Sequence, residues 1–296
     1  MINLSNGHSF EYLIASGAMG YYGNGWGFKF WELPLKWCKI IDLSKFTIVT
    51  KTITRFPRSG NGINTIRFKK DGIINANGLR NMGFYDWYTN KNLKIATSKY
   101  NIIASLTGTD SELYYMGGQL LREFLNIKGI EYNASCPNDI EQTPNKVISA
   151  IKGLKDSVKN LIPIGIKLRC GMDNFKILDG IRNDIEWINI NSVPWKVYSE
   201  DDFFFHNDIL TTPFGKYGGG AISGKLAQSK NWQFLRELAA ATSIPVVAPS
   251  IWNYNDINYV TRIGASAYAF GSIFMYSPWK PNSIINRCDK TIGGIQ

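Results

Sequence analysis

The sequence contains few cysteines. Its four cysteines, Cys38, Cys136, Cys170 and Cys288, lie far apart, and no two of them form a C-x-x-C pair. Disulfide frameworks and zinc sites require regularly spaced cysteines, so the sequence indicates neither, and we expect no metal ligands. Scattered thiols of this kind are typical of proteins in the reducing cytoplasm.

Long apolar runs and a targeting segment are also missing. No uninterrupted apolar stretch approaches the ~18 residues that a membrane-spanning helix needs. The opening residues, MINLSNGHSFEYL, lack the basic and then apolar build of a secretory signal peptide. We therefore expect a cytoplasmic protein with no membrane partner.

Basic residues are numerous but not clustered. The 33 Lys and Arg exceed the 23 Asp and Glu and give a net charge of +10, which is compatible with a nucleic-acid partner. However, Lys69-Lys70 is the only basic doublet, and the chain has no basic arm. Asn, Ile and Lys are all abundant, as AT-biased coding produces. We attribute the charge to this composition and do not expect a nucleic-acid partner.

What the sequence does contain is a repeated alternation of strands and helices. Eight short apolar segments recur along the 296 residues. They end at or near the following residues, in chain order: Ser16-Gly17, Lys51, Ser105, Asn133, Lys167, Asn191-Ser192, Ser250 and Gly271-Ser272. Apolar strands that alternate with helices indicate a parallel sheet. The pattern predicts one α/β domain over residues 1–296, a (β/α)8 TIM barrel with functional residues at the carboxyl ends of its strands.

Helical periodicity fills most of the intervals between these segments. Apolar residues recur every three or four positions from Asp110 to Asn126, with Asp110 as the predicted N-cap. The same periodicity predicts helices over residues 143–160, 175–182, 231–242 and 255–263.

Three segments depart from a plain barrel. Residues 18–45 are long and aromatic for a first strand–helix unit. A hairpin signal around Lys70-Asp71-Gly72 predicts an inserted hairpin that delivers Asn75–Leu79 to the barrel mouth. Residues 193–220 are predicted to form a long loop, with the aromatic run Phe203–His206, and loops of this length are usually functional or interfacial.

The densest polar cluster follows the fourth strand. The segment GIEYNASCPN, residues 129–138, begins as a strand and breaks at Pro137. Asn133, Ser135, Cys136 and Asn138 supply two carboxamides, a hydroxyl and a thiol, none of which carries a fixed charge. This set suits a neutral, hydrogen-bonding ligand and one titratable group. On its own the segment is equally compatible with a buried strand that runs into an ordinary turn.

Two lysines and several glycine-rich strand ends indicate an anionic ligand. Lys51 and Lys167 end the second and fifth strands, where they are either exposed or paired with negative charge inside the barrel mouth. The last strand ends and the segment Gly220–Gly224, placed before a helix, could hold a phosphate through backbone N–H groups. Together they outline an elongated anionic cofactor. FMN has this shape, with a phosphate tail and a ring whose N1/O2 edge becomes anionic on reduction.

Motifs along nearly the whole chain resemble those of the dihydroorotate dehydrogenase family. The matching segments are ASG at 15–17, TKTIT at 50–54, PRSGN at 57–61, NANGLRN at 75–81, NASCPN at 133–138, IKL at 166–168, NS at 191–192 and ISG at 222–224. They stand in the family's order, and N-x-S-C-P-N together with N-x-x-G-L is specific. The resemblance implies an FMN-dependent barrel that oxidises dihydroorotate to orotate in pyrimidine synthesis.

The resemblance also implies roles for individual residues. Cys136 matches the general base of the soluble class, which removes the proton from substrate C5 while hydride leaves C6 for flavin N5. Lys51 would bridge substrate and flavin, and Lys167 would hold the N1/O2 edge of the ring. The implied substrate contacts are Lys51, Asn75, Gly78, Leu79, Asn133, Asn138, Asn191 and Ser192. The implied cofactor contacts are Ala15, Ser16, Gly17, Lys51, Thr52, Lys167, Ser223, Gly224, Ser250, Gly271 and Ser272.

The chain departs from the family pattern at two places. Strand seven ends in Ala248-Pro249-Ser250 where a G-x-G-G-I-like phosphate loop is typical, and Pro249 has no N–H to offer a phosphate. The Ser250 N–H and hydroxyl could substitute for it. Asn77 also replaces a residue that is usually apolar. Residues 134–145 are predicted to form a lid that excludes water.

Two other hypotheses and the identity of the partner remain open. The net charge is compatible with an FMN enzyme that acts on RNA, similar to the dihydrouridine synthases, although little sequence follows the last strand for an RNA-binding domain. The altered phosphate loop is compatible with a non-catalytic barrel that serves as a binding scaffold. The resemblance implies either fumarate or a partner subunit bearing FAD and an iron–sulfur cluster as electron acceptor. The aromatic loop at 193–217 suggests an interface, with such a subunit or within a homodimer.

Overall fold

The computed structural model describes residues 1–25, 35, 38, 40–123, 125–135, 143–170, 173–199, 212 and 214–293. Its strands, in chain order, are β1 (Ile2–Asn3), β2 (Ser9–Phe10), β3 (Tyr12–Ile14), β4 (Thr47–Val49), β5 (Ile66–Lys69), β6 (Gly72–Asn75), β7 (Asn101–Leu106), β8 (Ile127–Asn133), β9 (Ile164–Leu168), β10 (Trp187–Ile190), β11 (Val193–Pro194), β12 (Ala221–Gly224), β13 (Val246–Ala248) and β14 (Ala267–Phe270). Eight of them, β3, β4, β7, β8, β9, β10, β13 and β14, form a closed barrel of parallel neighbours. The predicted TIM-like α/β fold is therefore confirmed.

Helices follow most of the barrel strands, as the periodicity predicts. They are α1 (Phe84–Tyr88), α2 (Lys91–Lys99), α3 (Asp110–Arg122), α4 (Pro144–Val158), α5 (Asn174–Ile181), α6 (Trp195–Ser199), α7 (Gln228–Ala241), α8 (Tyr254–Arg262), α9 (Ile273–Tyr276) and α10 (Lys280–Gly293). None of the helices in the described ranges is long and apolar enough to cross a membrane.

The start of α3 corrects the predicted N-cap. Thr109, and not Asp110, caps this helix, because the Thr109 hydroxyl accepts from the Glu112 N–H while the Glu112 carboxylate accepts from the Thr109 N–H at 2.9 Å. This capping box requires a Glu or Gln three residues after the cap, and Glu112 meets that spacing for Thr109 only.

The interior of the barrel is filled in layers that follow the alternation of side chains along each strand. At the amino ends of the strands Trp187 is fully buried and packs with Leu13 and Val49. Gly129 and Gly165, on the two preceding strands, leave space for its ring, because a Cβ on Gly165 would lie 2.0 Å from the indole. Apolar side chains therefore close the lower end of the barrel.

A four-stranded antiparallel sheet, in the order β11-β12-β6-β5, lies outside the barrel. The predicted hairpin is confirmed, since β5 and β6 pair across the turn at Lys70-Asp71. The segment Gly220–Gly224 was predicted to hold a phosphate through its backbone N–H groups, but most of that backbone is engaged in a sheet. Ala221–Gly224 form β12, whose backbone pairs with β6 on one side and β11 on the other. The partner strand β6 is remote in sequence, so no local pattern indicates this pairing.

Parts of two of the unusual segments, and most of the predicted lid, lie outside the described residues. The predicted loop at 193–220 instead begins with β11 and α6, whereas its aromatic run Phe203–His206 lies outside the described residues. Residues 26–34 and 136–142, which belong to the aromatic segment 18–45 and to the predicted lid, also lie outside them.

Replacement of Gly165 tests the packing under Trp187. Gly165→Ala should lower the free energy of unfolding by ~1–3 kcal/mol or more, because the added methyl overlaps the indole ring. Gly118→Ala is the matched control, since Gly118 lies within α3 and an added Cβ there meets no atom within 4 Å. The control should stabilise the protein by ~0.5–1 kcal/mol. Urea unfolding measures both changes, and an unaltered free energy for Gly165→Ala would contradict the layer described here.

Candidate active site

One cavity, of about 270 Å³, lies where the carboxyl ends of the barrel strands meet the antiparallel sheet. Every predicted site residue within the described part of the chain lines it. These residues are Ala15, Ser16, Gly17, Lys51, Thr52, Asn75, Gly78, Leu79, Asn133, Lys167, Asn191, Ser192, Ser223, Gly224, Ser250, Gly271 and Ser272. The other two, Cys136 and Asn138, lie outside the described residues.

Asn133, at the end of β8, is buried and hydrogen-bonded at both ends of its carboxamide. Its Nδ2 donates to Thr52 Oγ1 at 3.0 Å, while its Oδ1 accepts from the Ser135 N–H at 3.1 Å and from the Ser135 hydroxyl. Thr52 Oγ1 lies in turn 2.9 Å from Ser105 Oγ and 3.2 Å from Ser16 Oγ. This network fixes the orientation of Asn133 before any ligand binds.

Ser135 links the carboxamides of Asn133 and Asn191, which follow different barrel strands. Its hydroxyl donates to Asn133 and accepts from Asn191 Nδ2 at 2.5 Å. The hydrogen bond between Asn191 and Ser135 therefore ties the end of β10 to the end of β8. Ser192 Oγ adds a hydrogen bond to Asn191 Oδ1 at 3.4 Å. Ser135 stands in the polar cluster seen in the sequence, but its role as the link between the two asparagines was not predicted.

The hairpin brings Asn75–Leu79 to the cavity, as predicted. Asn77 Oδ1 accepts from Thr65 Oγ1 at 2.5 Å, which accounts for a carboxamide at a position that is usually apolar. Asn61 Nδ2 donates to the Ala76 carbonyl at 2.8 Å, and Tyr217 Oη donates to the Asn61 carbonyl at 2.9 Å. These bonds hold the segment in place from outside the barrel.

A buried ion pair lies one layer below the asparagines. Lys167 Nζ is 3.5 Å from Glu131 Oε1, and Asn189 Nδ2 donates to Glu131 Oε2 at 2.8 Å. The Glu131 side chain is 0% exposed. Sequence reasoning missed Glu131 and Asn189, although each stands two residues before a predicted site residue, Asn133 or Asn191. Strand alternation places such residues on the same inner face, so a charged residue inside an apolar strand was the available signal.

The cavity carries a cation, Lys51, that has no anionic partner among the residues that the structure describes. Lys51 and Lys167 are the charged residues of the lining, which contains no Asp or Glu among the described residues. Lys167 is paired with Glu131, whereas Lys51 forms no ion pair within the described ranges. Burial, and then the positive charge of Lys167, lower the pKa of Lys51 to about 8. An anion bound near Lys51 would relieve both effects, so the site favours an anionic ligand.

The opposite side of the cavity, at the ends of β13 and β14, is polar and neutral. The Ser272 hydroxyl is buried and has no hydrogen-bond partner within the part of the chain described here. Gly224 adopts φ 91°, and a Cβ there would approach Ser272 Oγ to 2.9 Å, so glycine keeps this approach open. An unused buried hydroxyl beside an open backbone fits the phosphate end of a cofactor.

Comparison with known proteins decides the family. The family model for dihydroorotate dehydrogenase matches residues 34–291. The chain belongs to the dihydroorotate dehydrogenase family. Two curated relatives are named dihydroorotate dehydrogenase B (NAD(+)), catalytic subunit. The protein from Thermococcus kodakarensis is 24% identical over 262 residues, covering 86% of this chain and 83% of the relative. The protein from Thermodesulfovibrio yellowstonii is 26% identical over 277 residues, covering 90% of this chain and 84% of the relative.

A solved structure agrees with the fold. The dihydroorotate dehydrogenase of Eimeria tenella in complex with ferulenol superposes with a TM-score of 0.70, at 16% identity, over 97% of this chain and 85% of that chain. Family membership makes this chain a dihydroorotate dehydrogenase-like flavin oxidoreductase, which confirms the family resemblance found in the sequence. It lends no support to an RNA-modifying or a non-catalytic barrel.

Removal of Glu131 tests the buried ion pair. Glu131→Leu should lower the free energy of unfolding by ~3–5 kcal/mol, because Lys167 is left as a buried charge without a counter-ion. The double variant Glu131→Leu/Lys167→Met should recover most of that loss. Asp179→Asn breaks the exposed pair with Arg182 and should change stability by no more than ~0.5 kcal/mol. A Glu131→Leu loss as small as that of the control, measured by urea unfolding, would contradict the assignment.

Proposed function

We propose that this enzyme oxidises (S)-dihydroorotate to orotate in de novo pyrimidine synthesis, as a single cytoplasmic FMN-binding domain over residues 1–296. The observation that carries the proposal is the convergence of the predicted substrate and cofactor residues on one cavity. Dihydroorotate has a carboxylate and a ring with imide N–H and C=O groups. Lys51 offers a cation for the carboxylate, and the carboxamides of Asn75 and Asn191 line the cavity beside it. Asn133 retains one N–H of its Nδ2 for the ring, because its Oδ1 already accepts two hydrogen bonds.

The residues of the cavity fit FMN. Lys167, held by Glu131, supplies the positive charge that an anionic reduced ring requires. The polar groups of Ser250 and Ser272, among them the unpaired Ser272 hydroxyl, suit its phosphate. When bound, FMN accepts the hydride that leaves C6 of the substrate. Thr52 and Ser16, which are predicted cofactor residues, belong to the same hydrogen-bond network as Asn133, a predicted substrate residue. The network therefore holds residues of both groups in fixed positions.

We assign the general base to Cys136, as in the soluble, cysteine-base class. Its neighbour Ser135 lines the cavity and is bonded to Asn133 and Asn191, which supports a base at this end of the site. The thiol takes the proton from C5. An ordinary thiol has a pKa of ~8.5, so a nearby cation is needed to favour the reactive thiolate at neutral pH, and Lys51 would supply part of that field if the thiol lies beside it.

The names of the relatives support a partner subunit. The relatives from T. kodakarensis and T. yellowstonii are catalytic subunits of an NAD(+)-type enzyme. We propose that this chain likewise transfers electrons through a second subunit to NAD⁺. Copurification of a flavin-containing subunit from the native host tests this assignment, and efficient turnover with fumarate by the chain alone would contradict it.

Substitution of Cys136 tests the reaction. Cys136→Ala should keep its flavin, but its reduction by dihydroorotate should slow by ~10²–10⁴, the usual effect of losing a positioned base. Cys136→Ser should also be slow and should need a higher pH, because a hydroxyl is harder to deprotonate than a thiol. Stopped-flow bleaching of the flavin measures this step separately from reoxidation, which should change little.

The exposed Cys38 provides the control for this experiment, since Cys38→Ala removes a thiol outside the cavity lining and should leave the rate unchanged. Reduction of Cys136→Ala at the wild-type rate would exclude Cys136 as the base. Failure of dihydroorotate to reduce flavin in the wild-type protein would contradict the proposed activity.

The affinity for orotate should depend on the protonation of Lys51. Because the pKa of Lys51 in the ligand-free protein is lowered to about 8, and a bound carboxylate raises it again, affinity is full below that pH. Above it the dissociation constant should rise by up to about tenfold per pH unit. Titrations between pH 7 and 9 are best made on Cys136→Ala, because a thiol titrates in the same range. Adding Lys51→Met should weaken binding and abolish the pH dependence. A pH dependence that survives Lys51→Met would show that another group is responsible.

A further inference from the structure

Asn231 is a buried carboxamide with an unused hydrogen-bonding atom in the cavity lining. It lies in the first turn of α7 and is 1% exposed. Its Nδ2 donates to Ser250 Oγ at 3.3 Å, but its Oδ1 has no partner within the described residues. An unsatisfied buried polar atom is unfavourable, so a bound ligand that pairs with this amide gains affinity.

The amide can present either a donor or an acceptor to the cavity. Its partner, the Ser250 hydroxyl, can both donate and accept, so a 180° turn of the carboxamide keeps this hydrogen bond. In one orientation Asn231 offers its carbonyl oxygen, and in the other it offers an N–H. An anionic ligand selects the orientation that offers the N–H.

A second unused polar atom faces the same space from another element. Ser272, at the end of β14, is 8% exposed, and its hydroxyl has no partner among the described residues. Both Ser272 and Asn231 line the cavity together with Ser250 and Gly224. Two side chains from separate elements, each with a polar atom that has no partner among the described residues, therefore line the same cavity.

The loop after β13 lacks one backbone N–H and is held in place by hydrogen bonds from its neighbours. Pro249 has no N–H, and its carbonyl accepts from Trp232 Nε1 at 3.1 Å. The Ser250 carbonyl accepts from Gln228 Nε2 at 2.9 Å, and Ser250 adopts φ 64°, which is uncommon for a residue other than glycine. The Ser250 side chain is thereby fixed next to Asn231.

We propose that Asn231 and Ser272 bind the phosphate of FMN through their side chains, in place of the backbone N–H that Pro249 lacks. In the turned orientation the Ser250 hydroxyl donates to Asn231 Oδ1 and holds the carboxamide with its N–H toward the phosphate. The proposal rests on the proposed function, because it concerns the cofactor of that same site. Its specific consequence is that Asn231 distinguishes FMN from riboflavin, which has the same ring and ribityl chain but no phosphate.

Flavin titration tests the phosphate assignment. After removal of bound flavin, wild-type protein and Asn231→Ala are titrated with FMN and with riboflavin, and binding is measured by the quenching of flavin fluorescence. Asn231→Ala should raise the dissociation constant for FMN by about 10- to 150-fold, the loss of one hydrogen bond to a charged group, and leave that for riboflavin unchanged. Asn231→Asp, of nearly the same shape, should weaken FMN binding further because its carboxylate repels the phosphate.

Asn258→Ala is the matched control, since Asn258 is exposed on α8 and lies outside the cavity lining. It should bind both flavins as the wild type does. Equal losses of FMN and riboflavin affinity in Asn231→Ala, or no loss of either, would overturn the phosphate assignment while leaving the proposed function intact. A wild-type protein that binds neither flavin would overturn the proposed function itself.

Discussion

The buried ion pair between Glu131 and Lys167 marks the level at which apolar filling of the barrel gives way to the cavity. Below it, Trp187 occupies the space that Gly129 and Gly165 leave free. A lysine at this depth needs a counter-ion, because an unpaired charge in the interior costs several kcal/mol, on the order of the stability of the whole domain. Glu131, oriented by Asn189, supplies it. The barrel can therefore present a lysine to the cavity from inside its own core.

The two lysines of the cavity differ because, among the described residues, only Lys167 has a carboxylate beside it. Lys167 is paired whether or not a ligand is present, whereas Lys51 is buried near Lys167 without a pair in the described residues, and its pKa falls to about 8. A ligand anion therefore changes the energy of Lys51 more than that of Lys167. This difference suits Lys167 to a resident cofactor and Lys51 to a substrate that binds and leaves.

Strand periodicity explains why so much of the site could be predicted. In an apolar barrel strand, a polar residue at the carboxyl end is visible in the sequence, and Asn133, Lys167 and Asn191 were found in this way. Closure of the barrel then brings residues from distant segments into one cavity. Glu131 and Asn189 were missed because only the strand ends were considered. The same period of two, followed one step further down each strand, leads to both of them.

The rest of the site depends on contacts between elements that the sequence does not link. Strand β12 pairs with β6, and its backbone N–H groups were predicted to hold a phosphate because nothing local indicates a partner strand so remote. Asn231 lies in helix α7, and the periodicity of this helix predicts only which side chains are buried, not what they contact. Its place in the site depends on the packing of α7 against the loop after β13, where Asn231 Nδ2 donates to Ser250 Oγ. Pro249, by contrast, was visible as a lost N–H. A missing backbone donor can be predicted from sequence, but the side chain that replaces it is found only when the fold brings the two together.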